Sequence, residues 1–261
     1  MKIYIFADME GISGISNSDF VTTGSALYPT GRRYYTADIN ACVRGCFDAG
    51  AQSVLVRDGH GSGCNVLWDE LDSRVELVQG AGQQRRLPGL EECDALILLG
   101  YHAMAGTAGA LLEHSYSSAT VQNIWLNGRL VGEIGIDAHI AGEQGVPVVM
   151  VSGDDKACAE ASAWLPNAIT CTVKTGLSCQ CARLLPMGQA HRLLEEKTAE
   201  ALANLTTIPP LAIAPPVTLR IEMKERIPIP HEHARPGIRV IDGRTYEATA
   251  DTVEAALARI F

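Results

Sequence analysis

The sequence has little of what several classes of protein need. Its 21 lysines and arginines are outnumbered by 30 acidic residues, for a formal net charge of −9, so it lacks the basic face with which proteins bind nucleic acids. No apolar run approaches the roughly 18 residues that a membrane-spanning helix requires. Met1 and Lys2 lead directly into an apolar segment without the features of a secretory signal. We therefore predict a cytoplasmic protein that binds neither nucleic acid nor membranes.

The eight cysteines do not have the spacing of a disulfide framework or a zinc ribbon. No C-x-x-C pair occurs, and a single residue separates Cys179 from Cys181. We expect structural cysteines in a reduced compartment. The motifs H-E-x-x-H, G-x-S-x-G, the phosphate-binding loop and a G-x-G-x-x-G after the first apolar segment are also absent, which excludes the mechanisms that depend on them.

The first part of the chain alternates short apolar segments with segments of helical periodicity. Hydrophobic residues make up 47% of the 261, enough for a sizeable core. The predicted strands are 3–7, 53–57, 75–78, 94–99, 119–126, 129–131 and 147–151, and the predicted helices are 33–49, 66–71, 134–144 and 155–163. This alternation predicts the α/β class, with a three-layer α/β/α architecture and a mostly parallel sheet.

The pattern changes beyond about residue 185. The later predicted elements are a helix at 187–205, a proline-rich connector at 209–216, a strand at 217–223, an irregular segment at 226–237, a strand at 238–241 and a helix at 250–260. We predict a catalytic metal-binding α/β domain over residues 1–185. Residues 186–261 should form a smaller α+β portion that shapes substrate access or oligomer contacts.

Three of the predicted strands run into residue types that bind metals. The first strand is followed by Asp8 and Glu10, the second by His60 and a third by His102, while Glu133 adds a further carboxylate. Because an open α/β sheet binds ligands outside the carboxyl ends of its strands, these side chains should meet at one edge. Carboxylates and imidazoles together predict a site for zinc or a similar divalent ion.

Each of these residues also has an ordinary interpretation. Asp8 and Glu10 repel each other, which a cation would offset, but the pair is equally compatible with a solvated loop start and a helix cap. A histidine such as His60 or His102, taken by itself, is more often a core or surface residue than a ligand. Asp58 is compatible with a residue that orients a ligand or a loop, and with a plain turn residue.

The other histidines are less well defined by the pattern. His114 follows His102 by twelve residues, and it is compatible with a proton-transfer group beside a metal and with a polar loop residue. We interpret His139, inside a predicted helix, as structural, and His191 as an exposed helix residue. The His-Glu-His run at 231–233 lies in the proline-rich irregular segment, and we expect it to lie away from the active centre.

Five separated blocks resemble the M55 family of peptidases, which includes zinc-dependent D-aminopeptidases. They are Ala7-Asp8-Met9-Glu10-Gly11-Ile12-Ser13-Gly14, Val56-Arg57-Asp58-Gly59-His60, Leu99-Gly100-Tyr101-His102-Ala103, Gly132-Glu133-Ile134-Gly135 followed by Ala141-Gly142 and Val146-Pro147-Val148, and Val151-Ser152-Gly153-Asp154-Asp155. The resemblance covers roughly residues 1–180 and is poor beyond them.

The resemblance implies a centre of two zinc ions. Its protein ligands would be Asp8, Glu10 and His60 for one ion, and Asp8, His102 and Glu133 for the other. Asp8 would therefore bridge the two ions.

The resemblance also implies a catalytic residue, a reaction and an assembly. By resemblance, His114 stands at the position of the family's catalytic histidine. The loop between His102 and His114 looks one residue longer than the corresponding loop of the family. The implied reaction removes an N-terminal D-amino acid from short peptides or amino-acid amides, and the implied assembly is a homodecameric ring. Two alternatives stay open: a related metallo-amidohydrolase acting on L-peptides or a small amide, and an inactive metal-binding scaffold.

Overall fold

The computed structural model describes residues 1–81, 85–226 and 237–261. His231 and His233 therefore lie outside the described residues. The strands are β1 (Lys2–Ala7), β2 (Ser53–Asp58), β3 (Glu76–Val78), β4 (Ala95–Tyr101), β5 (Val121–Leu126), β6 (Arg129–Leu130), β7 (Val148–Asp154), β8 (Ile169–Ser178), β9 (Cys181–Leu184), β10 (Val217–Met223), β11 (Ile238–Val240) and β12 (Thr245–Ala250). The α-helices are α1 (Tyr28–Asp48), α2 (Glu133–Glu143), α3 (Asp155–Trp164), α4 (Met187–Ala203) and α5 (Val253–Ile260). Among the described residues, no helix is both long and apolar enough to cross a membrane.

The larger sheet contains seven strands in the order β3-β2-β1-β4-β7-β8-β9. All neighbouring strands are parallel except β8 and β9, so the α/β class and the mostly parallel sheet are confirmed. Side chains of β1 alternate between the faces: Ile3 and Ile5 pack beneath α1 and α4, whereas Tyr4 and Phe6 face the opposite core. That second core contains α2, α3 and α5, which gives the three layers.

The smaller sheet is antiparallel, with five strands in the order β11-β12-β10-β5-β6. It combines β5 and β6 from the first part of the chain with the three strands that follow residue 185. The two predicted parts thus share one sheet, and the domain boundary at 185 stays a prediction.

The largest differences from the predicted elements lie in three segments. Residues 66–71 form turns instead of a helix, because backbone N–H groups there bond to side chains of Asp58 and Thr36 from other elements. The strands β8 and β9 were not predicted. The strand β12 was not predicted either, and α5 begins at Val253 and not at residue 250.

Tight backbone contacts fix the carboxyl ends of β1 and β4 relative to each other. The N–H of Asp8 donates to the carbonyl of Leu99 at 2.8 Å, and the N–H of Gly11 donates to that of Gly100 at 2.8 Å. Gly100 has a φ of 72°, which favours glycine, and a Cβ there would overlap the carbonyl of Asp8. Gly11 and Gly100 therefore allow the segments that follow β1 and β4 to lie side by side.

Candidate metal centre

The carboxylate of Asp8 lies between two groups of ligand-type side chains at the carboxyl edge of the larger sheet. Its Oδ1 is 3.1 Å from Nδ1 of His60, and its Oδ2 is 3.4 Å from Nε2 of His102. Asp8 follows β1, whereas His60 and His102 follow the two neighbours of that strand, β2 and β4. The parallel register thus brings together residues that are far apart in sequence.

The first group consists of Asp8, Glu10 and His60, whose ligand atoms lie within 4.8 Å of one another. Nδ1 of His60 is 3.2 Å from Oε2 of Glu10. The other ring nitrogen, Nε2, lies 3.0 Å from the carbonyl oxygen of Val21. Because a carbonyl only accepts, Nε2 carries a proton, and in the neutral ring the lone pair of Nδ1 is directed at the two carboxylates.

The second group consists of His102, His114 and Glu133, whose ligand atoms also lie within 4.8 Å of one another. Nδ1 of His102 donates to the carbonyl of Ala103 at 3.0 Å, and Nδ1 of His114 donates to that of Leu112 at 2.9 Å. Both Nε2 atoms face Glu133. Nε2 of His102 is 3.4 Å from Oε1 of Glu133, and Nε2 of His114 is 3.9 Å from the same oxygen.

The atoms of the two groups fit a divalent cation. Oε2 of Glu10 and Nε2 of His102 are buried and have no hydrogen-bond partner. Unpaired buried polar atoms are costly, and each of these faces other ligand-type atoms. Asp8, Glu10 and Glu133 also place three carboxylates in one cavity, where they repel each other unless positive charge lies between them. Carboxylate oxygens and imidazole nitrogens are ligands that zinc accepts.

The pKa values of these residues also show that the carboxylates stabilise positive charge at the site. Burial by itself lowers the pKa of His60, but the charge of Glu10 and a hydrogen bond to Asp8 raise it to about 12. Burial raises the pKa of Glu133, but the neighbouring His102 and the charge of Arg86 lower it to about 2. The protonated imidazoles thus supply the positive charge that a metal ion would otherwise bring.

Arg86 supports Glu133 from the side opposite the histidines. Its Nη2 is 3.0 Å from Oε2 of Glu133, and its guanidinium also donates to both oxygens of Asp137, at 2.9 and 3.1 Å. The hydroxyl of Tyr101 donates to Asp137 at 2.7 Å. Glu133 is also the first residue of α2, where the helix dipole favours a negative charge. These contacts keep Glu133 ionised and leave its Oε1 directed at the histidines.

Lys174 on β8 holds the segment that follows β1. Its side chain is buried, and Nζ donates to the carbonyl oxygens of Glu10 at 2.5 Å, Ile12 at 2.7 Å and Ile15 at 3.0 Å. All three ammonium donors are thereby used. Lys174 therefore fixes the backbone that carries Glu10.

Asp58 has the corresponding role in the loop that carries His60. Its buried carboxylate accepts hydrogen bonds from the backbone N–H groups of Asn65 and Val66, at 2.5 and 2.9 Å, and from the side chain of Asn65 at 2.8 Å. Of the two interpretations of Asp58, the contacts correspond to a residue that orients a loop.

The two ligand groups open into a cavity of about 520 Å³. Part of its wall is the tip of the hairpin between β8 and β9. The carbonyl of Cys179 accepts from the N–H of Leu112 at 3.0 Å, and Oε1 of Gln180 accepts from the N–H of Ser18 at 2.9 Å. The hairpin thus connects the loop before α1 with the loop that carries His114.

The loop that carries His114 has an unusual backbone. Leu112 and Tyr116, two residues to either side, have positive φ angles of 50° and 58°. Residues with a Cβ rarely adopt this conformation unless their surroundings impose it, and such residues cluster at functional sites. The N–H of Tyr116 donates to Oε1 of Glu133 at 2.7 Å, which is one contact that imposes it.

The structure brings together all of the residues predicted for the site, namely Asp8, Glu10, His60, His102, His114 and Glu133. Their individual roles stay predictions. His139 is buried and donates to the carbonyl of Gly135 at 2.6 Å, as expected of a structural residue. His191 is partly buried and lies 3.2 Å from the carboxylate of Asp38, so the prediction of an exposed side chain was wrong. Its partner comes from α1, which no local pattern around His191 indicates.

Comparisons with known proteins find relatives among D-aminopeptidases. The family model of peptidase M55, described as D-aminopeptidase, matches residues 1–260. A curated D-aminopeptidase of Bacillus subtilis strain 168 is 36% identical over 247 residues, which cover 94% of this chain and 89% of the relative. The solved structure of the Zn-dependent D-aminopeptidase DppA from Bacillus subtilis, described as a self-compartmentalizing protease, superposes with a TM-score of 0.94 at 35% identity. That match covers 99% of this chain and 95% of the solved chain.

These matches confirm the resemblance that the five sequence blocks carried. They also correct its extent, because the family match continues to residue 260 and does not stop near residue 180. The strands of the C-terminal part complete the smaller sheet of the same fold. The chain therefore belongs to the peptidase M55 family of D-aminopeptidases.

Proposed function

We propose that this protein is a two-metal aminopeptidase that removes an N-terminal D-amino acid from short peptides or amino-acid amides. The single observation that carries the proposal is the position of Asp8, with one carboxylate oxygen facing each of two ligand groups. Zinc is the metal named for DppA, and the donor atoms of both groups suit it.

In this proposal each ion has three protein ligands, and Asp8 is shared. Asp8, Glu10 and His60 would hold the first ion, while Asp8, His102 and Glu133 would hold the second. Two zinc ions held by these residues would polarise the amide carbonyl as Lewis acids and would acidify bound water to near neutral pH. The carboxylates compensate most of the positive charge, and Arg86 keeps Glu133 ionised.

His114 is the group that moves a proton in this proposal. Because its Nδ1 is held by the carbonyl of Leu112, Nε2 of the neutral ring is free to accept a proton from the attacking water. The same atom can then return the proton to the leaving amine. Its side chain is 15% exposed and lines the cavity, whereas that of His102 is 1% exposed. This difference favours His102 as a ligand and His114 as the proton carrier.

We further propose that the protein forms a decameric ring in the cytoplasm, without nucleic-acid or membrane partners. The description of DppA as a self-compartmentalizing protease supports an assembly. Enclosed active sites would restrict substrates to short peptides. Closed symmetry is the usual outcome for soluble homo-oligomers.

The test is a hydrolysis screen of paired D- and L-aminoacyl amides and dipeptides with the zinc-loaded protein. We expect cleavage of the D-substrates and much slower cleavage of their L-counterparts. The control is the same protein after treatment with a chelator, which should be inactive and should recover on addition of zinc.

The outcomes separate the alternatives. A preference for L-substrates, or for a small amide outside the peptide set, would indicate the related metallo-amidohydrolase. A zinc-loaded protein that hydrolyses no amide of the panel would indicate an inactive scaffold.

A further inference from the structure

A second cavity, of about 330 Å³, adjoins the metal cavity. The residues common to the two linings are Gly59, Gly61, Arg86 and Tyr116. The remaining wall of the second cavity includes the apolar side chains of Phe6, Leu257 and Phe261. Because the two linings share four residues, the two cavities lie side by side.

Arg57 lines the second cavity and is a buried cation, with only 9% of the residue exposed. Its Nη1 donates to two backbone carbonyls, those of Gly80 at 3.0 Å and Val78 at 3.5 Å. Its Nε is buried and has no hydrogen-bond partner. Within residues 1–81, 85–226 and 237–261, Arg57 makes no ion pair. A buried charge without a counter-charge is costly, so this guanidinium is suited to bind an anion.

The other two arginines of the second cavity already have carboxylate partners. Arg86 pairs with Glu133 and Asp137. Arg85 pairs with Glu91 at 2.8 Å and lies 3.7 Å from Glu254. Of the three arginines that line the second cavity, Arg57 is therefore the one without a carboxylate partner among the described residues.

The position of Arg57 places its charge at the same edge of the sheet as the metal ligands. Arg57 is the last residue but one of β2, three residues before His60. Its guanidinium bonds to the carbonyl of Gly80, beyond the end of β3. An extended peptide spans about 3.3–3.6 Å per residue, so two or three residues cover roughly 7–10 Å. Because only three residues lead from Arg57 to His60, their Cα atoms lie at most about 11 Å apart, which is the length of two or three extended peptide residues.

We propose that Arg57 binds the free C-terminal carboxylate of a di- or tripeptide whose N-terminal residue lies at the metal centre. This inference rests on the proposed aminopeptidase function and specifies its substrate class. Guanidinium and carboxylate groups match in geometry and charge, and the unpaired Nε is one of the donors that a two-point contact uses. The apolar wall of Phe6, Leu257 and Phe261 receives the side chain of the leaving residue. The enzyme therefore prefers short peptides with a free carboxylate over amides.

The test compares a D-alanyl-D-alanine dipeptide with its C-terminal amide, which contains the same scissile bond. Both are assayed with zinc-loaded wild type, Arg57→Met and Arg74→Met. Arg74 is an exposed arginine that pairs with Asp72 and serves as the matched control. For wild type and Arg74→Met we expect kcat/KM for the acid to exceed that for the amide by at least about tenfold. For Arg57→Met we expect the ratio to fall close to one, mainly through a higher KM for the acid.

Each outcome decides the inference. A wild-type ratio near one, or a ratio that Arg57→Met leaves intact, would overturn the role of Arg57 while the aminopeptidase function stands. If Arg57→Met fails to fold, the wild-type ratio still decides, and Arg57→Lys, which keeps the charge but not the planar fork, should give an intermediate ratio. Hydrolysis of neither compound, nor of any peptide in the wider panel, would overturn the aminopeptidase function and this inference with it.

Discussion

The imidazole rings of His102 and His114 lie face to face, with ring centroids 3.8 Å apart and an angle of 13° between the planes. Each ring has its Nδ1 on a backbone carbonyl and its Nε2 towards Glu133. In the proposed mechanism the two stacked side chains have different roles: the buried His102 binds a metal ion, and the more exposed His114 carries the proton.

Replacing His114 tests this division. We expect His114→Ala to keep its zinc content and to lose activity by roughly 10²–10⁴-fold, because a proton-transfer group is removed while the ligands remain. Metal analysis and steady-state kinetics check both parts, with His191→Ala as a control histidine outside the cavity. A loss of one zinc ion in His114→Ala would instead make His114 a ligand.

The two-sided position of Asp8 predicts that one substitution affects both ions. We expect Asp8→Ala to lose both zinc ions, or to bind both far more weakly, because a carboxylate oxygen is removed from each ligand group. Elemental analysis after dialysis measures this, and the exposed Asp69→Ala is the control. Retention of one tightly bound ion in Asp8→Ala would contradict the bridging role.

Zinc binding should release protons. The raised pKa values of His60, at about 12, and of His102 mean that both rings are protonated at neutral pH without metal. Zinc binds the neutral ring, so loading should release about two protons per chain and become tighter as the pH rises. Calorimetry in buffers of different ionisation enthalpy counts these protons. A zinc affinity independent of pH between 6 and 8 would show that the rings are neutral beforehand.

Glu160, which is not one of the proposed metal ligands, predicts a pH-dependent loss of stability. Its carboxylate is buried on α3, accepts from the N–H of Met104 at 2.7 Å, and has an unpaired Oε1. Burial raises its pKa from 4.5 to about 7. The folded state therefore holds this proton more tightly than the unfolded state, so stability is full below pH 4.5 and falls as the pH rises through 7, by up to about 3 kcal/mol.

The substitution that removes this effect is Glu160→Gln, which keeps an oxygen to accept from Met104 and has no charge. Denaturant unfolding of the metal-free protein from pH 5 to 8 should show a flatter profile for Glu160→Gln than for wild type. Glu196→Gln is the control, because Glu196 is an exposed residue of α4. Parallel profiles for wild type and Glu160→Gln would contradict the prediction.

The proposed decameric ring predicts a mass in solution. Ten chains of 27.9 kDa should give about ten times the chain mass by light scattering at micromolar concentration. A mass near that of one chain would exclude the ring and leave each active site open to solvent. A pentamer or dimer would show that this chain closes its assembly differently.

The sequence by itself predicts those features that depend on local pattern. The run of apolar residues before Asp8 and Glu10 is enough to predict a buried strand. Residues that follow such a strand lie at the carboxyl edge of a parallel sheet, where ligands bind. Asn127 and Gly128 form the turn between β5 and β6, as their residue types predict. Asp154 caps α3 by accepting from two of its backbone N–H groups.

Only the tertiary structure decides how the polar groups of the site are paired with one another. Which ring nitrogen of His60 faces the carboxylates depends on the carbonyl of Val21, which is distant in sequence. The partnership of Arg86 with Glu133 and the uncompensated charge of Arg57 also depend on packing between remote segments. Hydrophobic periodicity specifies which face of an element is buried, but not which polar atom meets which across the fold. Those pairings arise from long-range packing, in which burial makes each unpaired charge or hydrogen-bonding atom costly.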